Sequence, residues 1–274
     1  MTVVRTIEET RAALKGAKQV GFVPTMGAFH EGHTTLMEAS VSQNTTTVVS
    51  LFVNPTQFGP NEDFETYPRN ETLDFEIAER AGVSIIFAPS AEEMYKNSHT
   101  TLHVSGVTEH YEGAARPGHF DGVALIVHKL FNIVRPQNAY FGLKDLQQCA
   151  VINTMVRDLS LDVVIHTIET VRESSGLALS SRNKKLAPEE LEIAPMLFAC
   201  LSEFTDVLRE CRGVVSDALE TVTRKLTSLG FSVDYLDLVD PATMSPQTAL
   251  RPGLRLIVAA KLGVVRLLDN VPIV

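Results

Sequence analysis

Cysteine is scarce in this chain. Cys149, Cys200 and Cys211 are the three among 274 residues, and their spacing matches neither a disulfide framework nor a cysteine metal site. That scarcity predicts a reducing, cytoplasmic setting. Long hydrophobic runs are missing too: nothing approaches the roughly 18 apolar residues of a membrane span. Met1–Val20 carries Glu8, Glu9, Arg11 and Lys15 without an apolar h-region, so no signal peptide is expected. Basic charge is not in excess, with 24 Lys and Arg against 33 Asp and Glu and a net charge of −9. Nucleic-acid binders draw their affinity largely from phosphate neutralisation. No nucleic-acid or membrane partner is therefore expected, although a local basic site stays open. Internal repeats and low-complexity segments are also absent. What remains has the composition of a globular enzyme or binding protein, with 45% apolar residues, enough for a real core.

The acidic excess is concentrated early, with 20 Asp and Glu against 12 Lys and Arg over residues 1–170. There, β-rich runs alternate with helical patterns. Val20–Pro24 precedes Gly32–Ser42, and Thr46–Val53 precedes Arg69–Ala81. Val83–Ala88 is followed by Asp121–Val134, and Ala139–Gly142, Asp145–Leu159 and Leu161–Thr167 complete the series. Strands separated by helices of this length predict βαβ crossovers and a parallel sheet. Val48–Val53 is apolar on both faces, as a strand covered on two sides must be. Beyond Pro188 the pattern predicts two long helices, Glu189–Cys211 and Val214–Leu229, the second stopped by Gly230. Strands Phe231–Val239, Arg255–Ala260 and Val264–Leu268 follow, with Lys261-Leu262-Gly263 as the last hairpin turn. The expected fold is α/β: a Rossmann-like parallel-sheet domain over 1–170 and a smaller α+β domain over 171–274.

Two segments carry the chemistry. In Gly21-Phe22-Val23-Pro24-Thr25-Met26-Gly27-Ala28-Phe29-His30-Glu31-Gly32-His33, a strand runs through a small-residue turn into a helix. The carboxyl end of a parallel strand is where open α/β sheets bind ligands, and a helix N-terminus attracts anions. His30 and His33, three apart, share one helical face and suit hydrogen bonding to phosphate oxygens. A metal pair or two surface histidines are the duller alternatives, and no third ligand is spaced nearby. In Arg172-Glu173-Ser174-Ser175-Gly176-Leu177-Ala178-Leu179-Ser180-Ser181-Arg182-Asn183-Lys184-Lys185, glycine, serines and basic residues make a mobile, anion-seeking loop. Taken alone it reads equally well as an exposed linker. Ser180 and Ser181 can donate to phosphate, and Arg182 can do so bidentately.

Together these segments resemble the HIGH and KMSKS signatures of the nucleotidylyltransferase superfamily, whose members bind ATP and act at its α-phosphate. Three further stretches narrow the resemblance: Phe52-Val53-Asn54-Pro55-Thr56-Gln57-Phe58, Arg116-Pro117-Gly118-His119-Phe120-Asp121-Gly122-Val123, and Tyr140-Phe141-Gly142-Leu143-Lys144-Asp145-Leu146-Gln147-Gln148. With them the chain resembles the pantoate–β-alanine ligase (AMP-forming) family from about residue 5 onward.

The resemblance implies that pantoate's carboxylate attacks the α-phosphate of ATP, and that β-alanine then displaces AMP from pantoyl adenylate. It places Met26, Gly27, Ala28, Phe29, His30, Glu31, Gly32 and His33 at ATP. His33 would be the proton donor, with His30 beside it on the phosphates. Gly142, Leu143, Lys144 and Asp145 would join the nucleotide site, Lys144 neutralising phosphate. Val171 would hold adenine through its backbone, and Leu179, Ser180, Ser181 and Arg182 would close over the phosphates as part of the second domain. His33, His30, Lys144 and Arg182 are the implied catalytic set. Gln57 would be shared by pantoate and β-alanine, and Gln148 would be a second pantoate contact. Mg²⁺ is implied, held mainly by phosphate oxygens and water; no protein ligand is assigned, with Asp74 as a candidate. A homodimer is implied as well.

Leu143, Leu146, Ser175 and Leu179 depart from residues frequent in the family, and none of these positions bears an assigned charge or amide. A nucleotidyltransferase with a stable nucleotide product would not explain Asn54, Gln57 and Gln148 together. A relative of the tRNA synthetases lacks support from the acidic first domain. A non-catalytic scaffold has no use for His30, His33, Lys144 and Arg182.

Overall fold

A computed structural model of the chain describes residues 1–60 and 62–273. Its elements in chain order are β1 (Thr2–Val4), α1 (Ile7–Ala13), β2 (Val20–Thr25), α2 (Glu31–Gln43), β3 (Thr46–Leu51), α3 (Glu71–Arg80), β4 (Ile85–Phe87) and α4 (Ala91–Tyr95). Next come α5 (Tyr111–Ala115), α6 (His119–Val134), β5 (Asn138–Gly142), α7 (Leu146–Asp158) and β6 (Val164–Ile168). The remainder is α8 (Pro188–Ile193), α9 (Met196–Ser202), α10 (Phe204–Glu210), α11 (Val215–Ser228), β7 (Ser232–Val239), β8 (Arg255–Leu262) and β9 (Val265–Pro272). No helix among the described residues is long and apolar enough to cross a membrane.

The chain divides into two compact units, Met1–Leu143 with Val151–Glu169, and Lys144–Ala150 with Thr170–Val274. The first is built on a six-stranded sheet in the order β1-β4-β3-β2-β5-β6, every pairing parallel. Val23, Val49, Ile86 and Tyr140 from neighbouring strands meet Met37 of α2 and Ala78 of α3 in one buried cluster. The strand order reverses between β2 and β5, so the carboxyl ends of these strands flank the topological switch point, the customary ligand site of such sheets. The motif beginning at Met26 leaves the end of β2, and Gly142 ends β5.

The second unit holds an antiparallel sheet β7-β8-β9. The alternate side chains Leu256, Val258 and Ala260 of β8 pack with Leu197, Leu201, Phe204 and the apolar stripe of α11.

Two expectations need correction here. The single long helix over Glu189–Cys211 is three short ones, α8, α9 and α10. Pro195 has no N–H to give to a preceding turn and stands as the N-cap of α9, while Glu203 both ends α9 and caps α10. The last hairpin turns one residue later than expected, because Leu262 pairs with Val265. Gly263 at φ 55° and Val264 are therefore the two turn residues.

The fully buried Phe204 ring lies at the centre of the second unit's core. Phe204→Ala is expected to cost about 3–5 kcal/mol, read as a lowered urea midpoint.

Candidate active site

At the end of β2 the backbone turns sharply. Gly27 takes φ 86° and Ala28 φ 55°, the second a left-handed conformation that costs a residue with a Cβ. Asp74, in the first turn of α3 and 1% exposed, holds this turn in place. Its Oδ2 accepts Ala28 N–H at 2.9 Å and its Oδ1 accepts Phe29 N–H at 2.8 Å. A Cβ at Gly27 would come within 2.9 Å of Asp74 Oδ2, so no larger residue fits beside the carboxylate. Each oxygen thus serves a backbone donor and keeps a further lone pair. No group of three or more His, Cys, Asp or Glu suited to a metal occurs among the described residues.

The turn delivers His30 as N-cap of α2 and His33 into its first turn. Their rings lie 4.2 Å apart, centroid to centroid, and Phe29 packs on His33 at 5.4 Å. His30 N–H donates to His33 Nδ1 at 3.3 Å, which leaves Nε2 to carry the proton of the neutral ring. The imidazole therefore presents a donor at a helix N-terminus, where backbone N–H groups and the helix dipole already favour an anion.

The end of β3 supplies the second part. Asn54 caps the short 3₁₀ turn Pro55–Gln57, and both amides are buried, at 1% and 8% exposure. Asn54 Nδ2 donates to Gln57 Oε1 and to Gly122 O, each at 3.1 Å. Gln57 Nε2 lies 3.0 Å from Met26 Sδ. Gly122 lets α6 reach this turn, since a Cβ there would lie 2.4 Å from Thr56 O. The Gln57 main chain is held from the other side: His119 Nδ1 and Gln57 O are 2.7 Å apart. His119 Nε2 faces Arg116 Nη1 at 3.0 Å. Arginine only donates, so Nε2 accepts and Nδ1–H donates to the carbonyl. Arg116 is paired in turn with Glu62 at 2.7 and 2.5 Å.

In the second unit, Val171–Leu179 forms a tight hairpin rather than a loose loop. Arg172 bridges Ala178, and Glu173 N–H donates to Leu177 O at 2.9 Å. Arg172 anchors the hairpin to β9, with Nη1 2.6 Å from Asp269 Oδ2 and Nη2 2.8 Å from Oδ1, while its guanidinium lies 3.7 Å over the Phe198 ring. Leu179 N–H donates to Val171 O at 3.0 Å, so of Val171's backbone groups the carbonyl already has a partner. Ser180 then caps a 3₁₀ turn, Ser181–Lys185, which carries Arg182, Lys184 and Lys185. Lys144, Ser180, Arg182 and Asn183 line one cleft of about 410 Å³, part of it open to solvent. Lys144 Nζ is 3.5 Å from Asp145, and Asn270 Nδ2 donates to Lys144 O at 3.2 Å. Asn183, 7% exposed, donates to Ala178 O at 3.0 Å. Gln148 is half-buried in the first turn of α7.

Within the first unit the structure therefore brings Gln57 to Met26, the first residue of the Met26–His33 stretch, and Gly142 ends β5 at the same switch point with Leu143 next to it. Within the second it brings together Lys144, Ser180 and Arg182. Sequence reasoning missed Asp74 as a backbone anchor, Arg172 as a clamp, and Tyr95 and His119 as supports of the Asn54–Gln57 turn. The Arg116-Pro-Gly-His119 motif was the available signal for the last of these.

A histidine pair at the N-terminus of a helix, at the switch point of a parallel sheet, marks the HIGH-type nucleotide-binding α/β class. Residues 2–272 match the sequence profile of pantoate-beta-alanine ligase. The chain is 48% identical to pantothenate synthetase 1 of Bradyrhizobium diazoefficiens, over 99% of this chain and 98% of the relative. The crystal structure of pantoate-beta-alanine ligase (pantothenate synthetase) from Thermus thermophilus superposes with a TM-score of 0.95 at 46% identity, covering 99% of both chains. The Francisella tularensis pantoate-beta-alanine ligase, crystallised with beta-gamma ATP and beta-alanine, superposes at 0.82 with 34% identity over 99% and 97% of the two chains. This chain belongs to the pantoate–β-alanine ligase family.

Burial, then the Arg116 charge, lowers the His119 pKa from its usual 6.5, with Glu62 and Glu112 opposing. The unfolded chain thus takes up this proton first. The contribution of neutral His119 to stability is complete above pH ~6.5 and is lost as pH falls toward the depressed value. Tm measured from pH 7.5 to 5 should fall less steeply in His119→Asn than in the unsubstituted protein.

Proposed function

We propose that the chain joins (R)-pantoate to β-alanine at the expense of ATP, through pantoyl adenylate. The observation that carries this reading is the orientation of His33: its Nδ1 accepts the His30 N–H, so its Nε2–H is the proton offered at the α2 N-terminus.

In the first step a pantoate carboxylate oxygen attacks the α-phosphorus, and the bond to the bridging oxygen of pyrophosphate breaks. Negative charge grows on the phosphate oxygens, and His33 Nε2–H, His30 and the first N–H groups of α2 are the donors that meet it. Lys144 and Arg182 add positive charge to the phosphates, and Ser180 and Ser181 add hydroxyl donors. Met26 to Glu31, Gly142, Leu143, Asp145 and Leu179 shape the nucleotide site, with the backbone of Val171 toward adenine. In the second step the β-alanine amine attacks the acyl carbon, AMP leaves, and the amine loses a proton. Gln57 holds the carboxylate-bearing substrates through its amide, and Gln148 is a second pantoate contact. No side chain forms a covalent intermediate, so alignment and electrostatics carry the rate.

Mg²⁺ accompanies the triphosphate in this reading, with phosphate oxygens and water as its main ligands and Asp74 as the candidate among the side chains. We also propose that Leu179–Arg182, carried by the second unit as its own domain, closes over the phosphates. A homodimer, implied by the family resemblance, is part of the same proposal. A cytoplasmic location agrees with three cysteines that are all free thiols.

The first test is AMP release with ATP, Mg²⁺ and pantoate, with and without β-alanine. AMP and pantothenate together, only when β-alanine is present, are expected. Pyrophosphate release without an acyl adenylate, or no turnover, would overturn the assignment. His33→Ala should lower kcat by about 10²–10³-fold with the fold intact, a loss checked by steady-state assay beside circular dichroism; a loss below about tenfold contradicts the role of His33.

A further inference from the structure

Beside the Asn54–Gln57 pair lies Tyr95, the last residue of α4. Its hydroxyl donates to Asn54 Oδ1 at 2.6 Å. The same oxygen faces Thr56 Oγ1 at 3.0 Å and Thr56 N–H at 3.3 Å. A backbone N–H can only donate, so the Asn54 atom it meets is the oxygen. The other end of that amide is then the nitrogen, which donates to Gln57 Oε1 and Gly122 O. Because Gln57 Oε1 accepts there, Gln57 presents Nε2 on its opposite side, 3.0 Å from Met26 Sδ.

Carboxylates accept hydrogen bonds and cannot donate them. A Gln57 amide turned the other way would set its oxygen against the substrate's. We infer that Tyr95 is a positioning residue for the two acid substrates: with the Thr56 N–H, its hydroxyl holds the Asn54 amide in the orientation that decides which end of the Gln57 amide meets them. The inference rests on the reading of Gln57 as their shared contact.

The local chemistry keeps Tyr95 a donor. Burial raises its phenol pKa above the usual 10, so the proton stays in place at neutral pH. The ring of Phe52 packs beside it, 6.3 Å between centroids. Lys129 Nζ lies 5.2 Å from the centre of the Tyr95 ring and also donates to Met94 O, which fixes the end of α4.

The test compares the unsubstituted protein with Tyr95→Phe, Gln57→Ala and the double variant, measuring kcat and the KM of each substrate. Tyr95→Phe is expected to raise the KM of pantoate and of β-alanine about tenfold, the scale of one misdirected hydrogen bond. The KM of ATP and kcat should stay within about twofold. Gln57→Ala should raise the same two KM values, and adding Tyr95→Phe to it should change them no further, since the two residues act along one chain. Should Tyr95→Phe fail to fold, Thr56→Val removes another proton from the same oxygen and is expected to act in the same direction.

An unchanged pantoate KM in Gln57→Ala would overturn the reading of Gln57, and the inference with it. A raised KM in Gln57→Ala, with none in Tyr95→Phe or with full additivity in the double variant, would overturn the inference alone. A fall in kcat accompanied by a raised ATP KM would assign Tyr95 to general packing and overturn it as well.

Discussion

Backbone N–H groups that turn away from a sheet must find an acceptor, and at the end of β2 the acceptor is one buried carboxylate. Asp74 holds Ala28 and Phe29 by their N–H groups, and that pair of bonds keeps Ala28 in a left-handed conformation it would otherwise leave. Everything downstream takes its direction from there. Phe29 packs on His33, His30 begins α2, and the two imidazoles come together at its N-terminus. A carboxylate with these two charge-assisted bonds stabilises the turn more firmly than a neutral acceptor would.

The second unit solves a similar problem with the opposite charge. Arg172 ties the hairpin to Asp269 of β9 and lies flat on Phe198. Burial of such a pair costs solvation, and removing one partner would leave the other charge stranded. The serines that follow the hairpin belong to a turn with fixed ends, so Ser180 to Arg182 start from a defined place. An anchored base with a basic exit suits the role proposed for this segment, meeting phosphate repeatedly in one geometry.

Much of this was legible in the sequence. The runs Val20–Pro24 and Thr46–Val53 are rich in apolar residues and lie at the centre of the sheet, β2 beside β3. The H-x-G-H histidines and Gln57 announced themselves by position after a strand. The short β1 and α1 offer too few residues for a periodicity, although Thr6 and Glu9 form a capping box that the sequence displays. The supports of the site were hidden for a different reason. Asp74 meets a backbone 45 and 46 residues away, and Tyr95 meets Asn54 at a separation of 41. Such contacts leave no periodicity, because an acceptor for a backbone N–H can come from any residue that the fold brings near. The break at Pro195 was visible in the letters and was outweighed by the apolar pattern around it.

The path of the chain between the two units has a consequence for synthesis on the ribosome. Lys144–Ala150 belongs to the second unit, while Val151–Glu169, made just afterwards, belongs to the first. The first unit can complete its sheet when β6 emerges, but Lys144 and its neighbours must then wait for partners as late as Asn270, which donates to Lys144 O. A nascent chain halted before β9 would hold the first unit's sheet with Lys144 still lacking its Asn270 partner. Lys144 would thus be among the last groups of the early sequence to reach its native surroundings.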